Sequence, residues 1–329
     1  MSTKKLTMVE ALNLALREEL QRDKNVMIFG EDVGIDGGVF RVTKGLIQEF
    51  GKERVIDTPL AEACIIGSAF GLAVYGKRPV CEIQFSGFMY EGFHQIESHV
   101  ARIRARTYGA LQAPMVIRAP YSGGIKALEH HSESKEMYYV HTPGLVVIIP
   151  SGPKNARSLM KAAIRANDPV IFLEPKSVYR AFREEIDLDQ DDVAEIGKAQ
   201  IVRPGSQVTV VTYGAMLYQT KKAIQKGIEA HNWDPEVIDL QTLSPMDTQT
   251  IIESVKKTGR CVIVHEAHRT GGIAAEIIAR VMESAFLSLQ APIERVTGWD
   301  TQVPYFAREN VYIPDPQSIE NAIQKVLNF

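Results

Sequence analysis

Cysteine is scarce in this chain: Cys64, Cys81 and Cys261 are the three in 329 residues. They lie far apart with no C-x-x-C pair, which excludes a disulfide framework and a zinc knuckle and suits a reducing compartment. Neither sign of charge is in large surplus. A formal balance of −3 gives no electrostatic case for nucleic acid or for an anionic membrane surface. No apolar run approaches transmembrane length, and the first residues lead straight into an amphipathic helix pattern with no signal-peptide core. A cytoplasmic protein is expected, although a removed transit peptide would leave no trace. Several motifs are missing as well. There is no G-x-G-x-x-G opening a helix, no G-x-x-x-x-G-K-[ST], no G-x-S-x-G elbow and no H-E-x-x-H. Dinucleotide, P-loop, hydrolase and zinc-protease readings all lose their usual support.

What is present is the composition of an ordinary globular protein, 45% apolar and 23% charged. The chain is long enough for two cores, since single cores stop growing near about 250–300 residues. Short apolar runs alternate with helical patterns throughout. Val26 to Phe29, Val55 to Asp57, Pro79 to Phe85, Met115 to Arg118, Leu145 to Ile149 and Val170 to Leu173 read as strands. A long helix is expected over about Glu91 to Tyr108. After the acidic stretch Arg183 to Asp192, read as a surface linker, the alternation restarts at Val208. This predicts an α/β protein of two doubly wound domains, residues 1–182 and 205–329, joined by a linker at 183–204.

The stretch from Arg54 to Gly76 organises the first domain. A short strand ends at Asp57, Thr58 offers a capping hydroxyl, and Pro59 suits a first helical position. Behind Glu62 no charged side chain occurs until Lys77. A helix apolar on every side is expected to be buried, and a carboxyl at its head is then expensive unless it is neutral, hydrogen-bonded or matched to a ligand. The plainer reading is a first-turn acid that complements the helix dipole.

Asp57-Thr58-Pro59-Leu60-Ala61-Glu62, Gly30-Glu31-Asp32-Val33-Gly34 and Glu82-Ile83-Gln84-Phe85 together resemble the β subunits of thiamine-diphosphate-dependent 2-oxo acid dehydrogenases. The resemblance runs from the first helix to the C-terminal Val326-Leu327-Asn328-Phe329. It implies a pyrimidine-binding domain followed by a transketolase C-terminal-like domain. It also implies that Glu62 touches the aminopyrimidine of the cofactor and shares a proton with it, which needs a carboxyl of raised pKa. Phe88 matches the aromatic residue packed on that ring, though an ordinary core phenylalanine would look the same. Glu31 and Glu91 match acids that in some relatives line a polar path between cofactor sites; for Glu91 the alternative is a solvated acid near a helix start. His131, in Glu129-His130-His131-Ser132-Glu133-Ser134, matches an active-site histidine that meets the 2-oxo acid or the lipoyl group. His130 stays open as the alternative.

By the same resemblance Met115, Ala163, Ile164, Ala166 and Asp168 would offer oxygens to a potassium ion. An unoccupied helix end is the alternative. The strand end His265-Glu266-Ala267-His268-Arg269-Thr270-Gly271-Gly272 could bind an anion or serve as an interface or cap. Enzymes of this class hold Mg²⁺ and the diphosphate with a Gly-Asp-Gly motif, which this chain lacks. A separate α subunit is therefore expected to bring that side, in an α2β2 heterotetramer serving a dihydrolipoyl acyltransferase core. Asn328-Phe329 marks the candidate docking region for that core. Pyruvate is the expected substrate, because Tyr90-Glu91 and Glu133-Ser134 resemble bacterial pyruvate-specific relatives. The alternatives are a branched-chain 2-oxo acid enzyme, suggested by Glu174-Pro175-Lys176, or a non-catalytic scaffold of the same fold.

Overall fold

The computed structural model describes residues 2–329. The chain divides into two compact units, Met1–Tyr121 with Tyr138–Ile196, and Ser122–Met137 with Gly197–Phe329. The excursion Ser122–Met137 groups with the second unit, although it lies within the stretch read from sequence as the first domain. No described helix is long and apolar enough to cross a membrane.

In the first unit the strands are β1 (Thr3–Leu6), β2 (Val26–Gly30), β3 (Val55–Asp57), β4 (Arg78–Glu82), β5 (Val116–Tyr121), β6 (Val146–Ile148), β7 (Val170–Pro175) and β8 (Glu184–Asp187). Six of them lie side by side as β6-β7-β5-β4-β2-β3, every pair parallel. Their interiors are buried almost throughout, as strands covered on both faces require. From β2 the chain moves outward to β3 and then returns past β2 to β4. The strand order therefore reverses between β2 and β4, and open α/β sheets bind ligands in such a crevice at the carboxyl ends of their strands.

Helix α1 (Met8–Arg22) begins with a capping box of Thr7 and Glu10. The buried Glu19 carboxylate accepts from Arg22 and Arg165, while Glu18 accepts from Arg157. The acidic stretch after Arg183 is less of a linker than its composition suggests. Its first part is β8, antiparallel to β1. Asp191 pairs with Lys161 and Arg165, which hold its carboxyl well below the usual range.

The expected helix from Glu91 to Tyr108 is broken. Short helices at Phe93–Gln95 and Ile103–Arg106 flank a π turn at Ile96–Val100. The Ala101 amide reaches back five residues to the Ile96 carbonyl at 2.9 Å. The wider turn lets Ile96, Val100 and Ala101 all enter the core.

The second unit has β9 (Gln200–Arg203), β10 (Val208–Thr212), β11 (Pro235–Asp239), β12 (Thr242–Ser244), β13 (Cys261–His268) and β14 (Glu294–Gly298). Its sheet runs β14-β13-β10-β11-β9, parallel except for the edge strand β9. Helices Ala215–His231, Thr248–Thr258, Ile273–Ala285 and Pro316–Leu327 follow the strands in the expected alternation.

Candidate functional site

Helix α2 (Leu46–Phe50) precedes β3, and helix α3 (Glu62–Val74) follows it. It starts at Glu62, later than Thr58 and Pro59 suggest. The Thr58 amide donates to the Gly30 carbonyl at 3.0 Å, which carries the strand ladder past Asp57 and delays the helix. The N-cap is Ala61, with no side-chain cap. Nor is α3 buried all round. Glu62, Ile65, Ile66, Ala69 and Ala73 face the core, whereas Ala63, Cys64, Ser68 and Gly71 are exposed. Leu60 and Tyr75, at either end, are 78% and 85% exposed. The helix therefore leaves an uncharged face open in the single chain.

Glu62 itself is 8% exposed, and Glu31, just beyond β2, is 6% exposed. Burial, reinforced by the negative charges of Glu62 and Asp32, pushes Glu31 up to about 7. The neighbouring Asp32 accepts from Gln84 Nε2 at 3.1 Å, which ties the end of β2 to the end of β4. Gly30 is needed where these strands meet, because a Cβ there would sit 2.5 Å from the Glu82 carbonyl oxygen.

Phe88 lies in a 3-10 turn, Ser86–Tyr90, half-buried and edge-on to Phe85 at 5.9 Å. Phe85 in turn meets Phe40 at 5.6 Å. Gly92 brings this turn against the start of α3: a Cβ would stand 2.3 Å from Ile66 Cδ1 and 3.3 Å from the Glu62 carbonyl. Glu91, one residue earlier, is exposed. The Thr58 hydroxyl is shielded from solvent and has no partner among the described residues. The ends of β2 and β3 and the start of α3 thus carry two buried carboxyls and a buried hydroxyl, with the segment after the aromatic turn packed on α3 through Gly92. That set fits a flat heterocycle carrying N–H donors.

On β4, β5 and β7 lies a buried cluster whose members the sequence shows only one at a time, Glu82 in a motif, Arg118 at a strand end and Glu174 before Pro175. The fully buried Arg118 on β5 donates from Nε to Glu174 Oε1 at 2.7 Å and from Nη2 to Glu174 Oε2 at 2.6 Å, and it also pairs with Glu82. Tyr179 Oη donates to the same Glu174. Burial opposes the guanidinium charge, but Glu174 and Glu82 outweigh it and hold Arg118 more firmly protonated than usual. Burial raises Glu82 despite that partner. Single charges inside otherwise apolar strands were the available signal.

The helix-end group stands apart from the crevice residues in its bonding. Arg78 Nη1 donates to the Ile164 and Ala166 carbonyls at 2.9 and 2.8 Å. The Met115 carbonyl accepts from Val170, that of Ala163 from Ala166, and Asp168 pairs with Arg104. Each named potassium ligand already has a protein partner, which leaves second lone pairs on the carbonyls and the other carboxylate oxygen of Asp168.

The histidines sit in the Ser122–Met137 excursion of the second unit, on a 3-10 turn at Glu129–His131. His130 is exposed and His131 half-buried. The strand end read as an anion or capping segment has a different use here. Glu266 Oε1 accepts from the Gly123 amide at 2.6 Å and from Ser134 Oγ at 3.3 Å. His265 is fully buried, and burial lowers its pKa to about 4.

The chain matches the family "Transketolase, pyrimidine binding domain" over residues 4–181 and "Transketolase, C-terminal domain" over 197–319. It is 48% identical over 324 residues to the "Pyruvate dehydrogenase E1 component subunit beta" of Staphylococcus aureus, covering 98% of this chain and 99% of that one. The chain belongs to the pyruvate dehydrogenase E1 β-subunit family. The protein of the same description from Staphylococcus epidermidis is 47% identical over the same share of both chains. Among solved structures, a chain described as "Split gene transketolase, inactive beta4 tetramer" superposes with a TM-score of 0.81 at 22% identity. It covers 99% of both chains and shares the fold. The two-domain α/β architecture expected from the sequence is therefore that of its family. Members of this family give a context for the crevice, whose walls lie in the domain described as pyrimidine-binding.

Proposed function

We propose that this chain is the β subunit of a pyruvate dehydrogenase, taking part in decarboxylation of pyruvate and transfer of the acetyl group to a lipoyl group on an acyltransferase core. The observation that carries the reading is the pair of buried acids, Glu62 and Glu31, meeting the Phe88 turn at the strand-order reversal. Thiamine diphosphate supplies the carbanion-stabilising chemistry when bound. Glu62 would donate a hydrogen bond to a ring nitrogen of the pyrimidine and share that proton with it. Phe88 packs on the ring face, and Glu31, titrating near neutrality, holds a proton close to Glu62. Glu91, exposed in this chain, continues the acidic path toward a second site. His131 donates to the 2-oxo acid or the incoming lipoyl group.

The reading includes an α subunit that brings Mg²⁺ and the diphosphate contacts, since the Gly-Asp-Gly motif is missing here. The open uncharged face of α3, with Leu60 and Tyr75, supports a partner on that side. A potassium ion at the Ala163–Asp168 corner rests on the family resemblance; it would use second lone pairs of carbonyls that already accept from the protein. Exposed Phe329 leaves the C-terminal region available for the acyltransferase core. Glu62→Gln in the assembled heterotetramer is the test. The fold should persist while pyruvate decarboxylation falls to background, because an amide cannot share the pyrimidine proton. Turnover near that of the wild type would remove Glu62 from the role. In the same assay His131→Ala should lose about 10²–10⁴-fold, far more than His130→Ala.

A further inference from the structure

Two carboxylates of the second unit reach into the histidine excursion and bind its backbone. Glu309, 1% exposed, accepts from the Gly124 amide at 2.8 Å through Oε1 and from the Lys126 amide at 2.8 Å through Oε2. Glu266, 5% exposed, takes the Gly123 amide at 2.6 Å and Ser134 Oγ at 3.3 Å, so it touches both limbs of the excursion.

The backbone of this excursion needs contacts from outside it to hold its shape. Ser122 and Lys126 have φ of 68° and 56°, and Gly124 has 95°, all on the left-handed side. Non-glycine residues occupy that region at a cost that surrounding contacts must offset. Gly123 is required for a different reason. A Cβ there would stand 2.9 Å from Glu309 Oε1, 3.0 Å from Ile313 Cδ1 and 3.4 Å from Glu266 Oε1. The paired glycines are thus the side of the loop that lets two buried acids approach its backbone. Burying a carboxylate is expensive, and at Glu309 the compensation comes from two loop amides and fixes the loop's path.

We propose that Glu309 and Glu266 are positioning residues that clasp the Ser122–Met137 loop and thereby fix where His131 stands. The proposal rests on the reading of His131 given above. A loosened clasp leaves the histidine side chain intact but spreads it over many positions, so turnover falls without loss of the group itself.

The test uses Glu309→Ala, Glu309→Gln and Glu266→Gln in the full chain, assembled with an α subunit. Hydrogen exchange is followed by mass on peptides covering 122–134. Two charge-assisted bonds are lost in Glu309→Ala, so exchange there should speed up about 10–100-fold. Exchange elsewhere in the second unit should stay as in the wild type. The kcat for pyruvate should fall about 10-fold or more, with thiamine diphosphate affinity kept within about twofold. Glu309→Gln, which keeps one acceptor, should fall between the two. Unchanged exchange in the 122–134 peptides overturns the clasp. Faster exchange with wild-type kcat, while His131→Ala is impaired, overturns the positioning role. An active His131→Ala would instead strike the histidine reading, and the exchange result would still decide the clasp by itself.

Discussion

Two carboxyls share the crevice beyond β2, and burial, together with the charges of Glu62 and Asp32, moves Glu31 from 4.5 up to about 7. An acid with a raised folded pKa favours the fold only while it is protonated. Its contribution is complete below about pH 4.5, declines as the pH rises toward 7, and is lost above that. Glu31→Gln removes this dependence. The variant should therefore gain thermal stability relative to the wild type as the pH climbs from about 4.5 to 7, with no further gain at higher pH. Melting curves of both chains across that range check the sign, and a constant difference would contradict it. At this scale the crevice acids were legible from their motifs. Glu82, Arg118 and Glu174 were not, because apolar strand neighbours made each look like a single interruption. Only the parallel register, which sets Glu82 beside Arg118, turns three interruptions into one cluster.

At the level of elements, that cluster joins three adjacent strands, β4, β5 and β7, under the aromatic turn. Removing its cation leaves two buried acids without a counter-charge, Glu174 keeping only the Tyr179 hydroxyl. Arg118→Met should destabilise the chain by about 3–5 kcal/mol, and urea unfolding followed by circular dichroism measures it. Glu82→Gln should cost much less, since Arg118 keeps both bonds to Glu174. Equal losses in the two variants would mean that the charge is compensated elsewhere. Strand positions were readable from apolar runs, but the helix starts were not. Proline and threonine at 58–59 look like a cap, yet the Thr58 amide is already committed to Gly30. The π turn at Ile96–Val100 was equally hidden, because ordinary helical spacing accommodates the same apolar residues.

Over the whole molecule, the α/β class followed from alternating patterns, which set the restart at Val208, whereas the second family match already begins at residue 197, inside the stretch 183–204 read as a linker. The grouping of Ser122–Met137 with the second unit had no signature in periodicity. Its signal is the glycine pair at 123–124, whose need becomes visible only once Glu266 and Glu309 are placed against it. The uncharged residues along α3 were read as burial within one chain; their exposed face here fits burial between chains instead. An open face of this kind supports a crevice that is half of a cofactor site, completed by a second subunit. Titration calorimetry of thiamine diphosphate with Mg²⁺ decides this. The chain alone should give no tight binding, and adding a matching α subunit should restore Mg²⁺-dependent binding that Glu62→Gln weakens. Micromolar binding and turnover by this chain without α would contradict it.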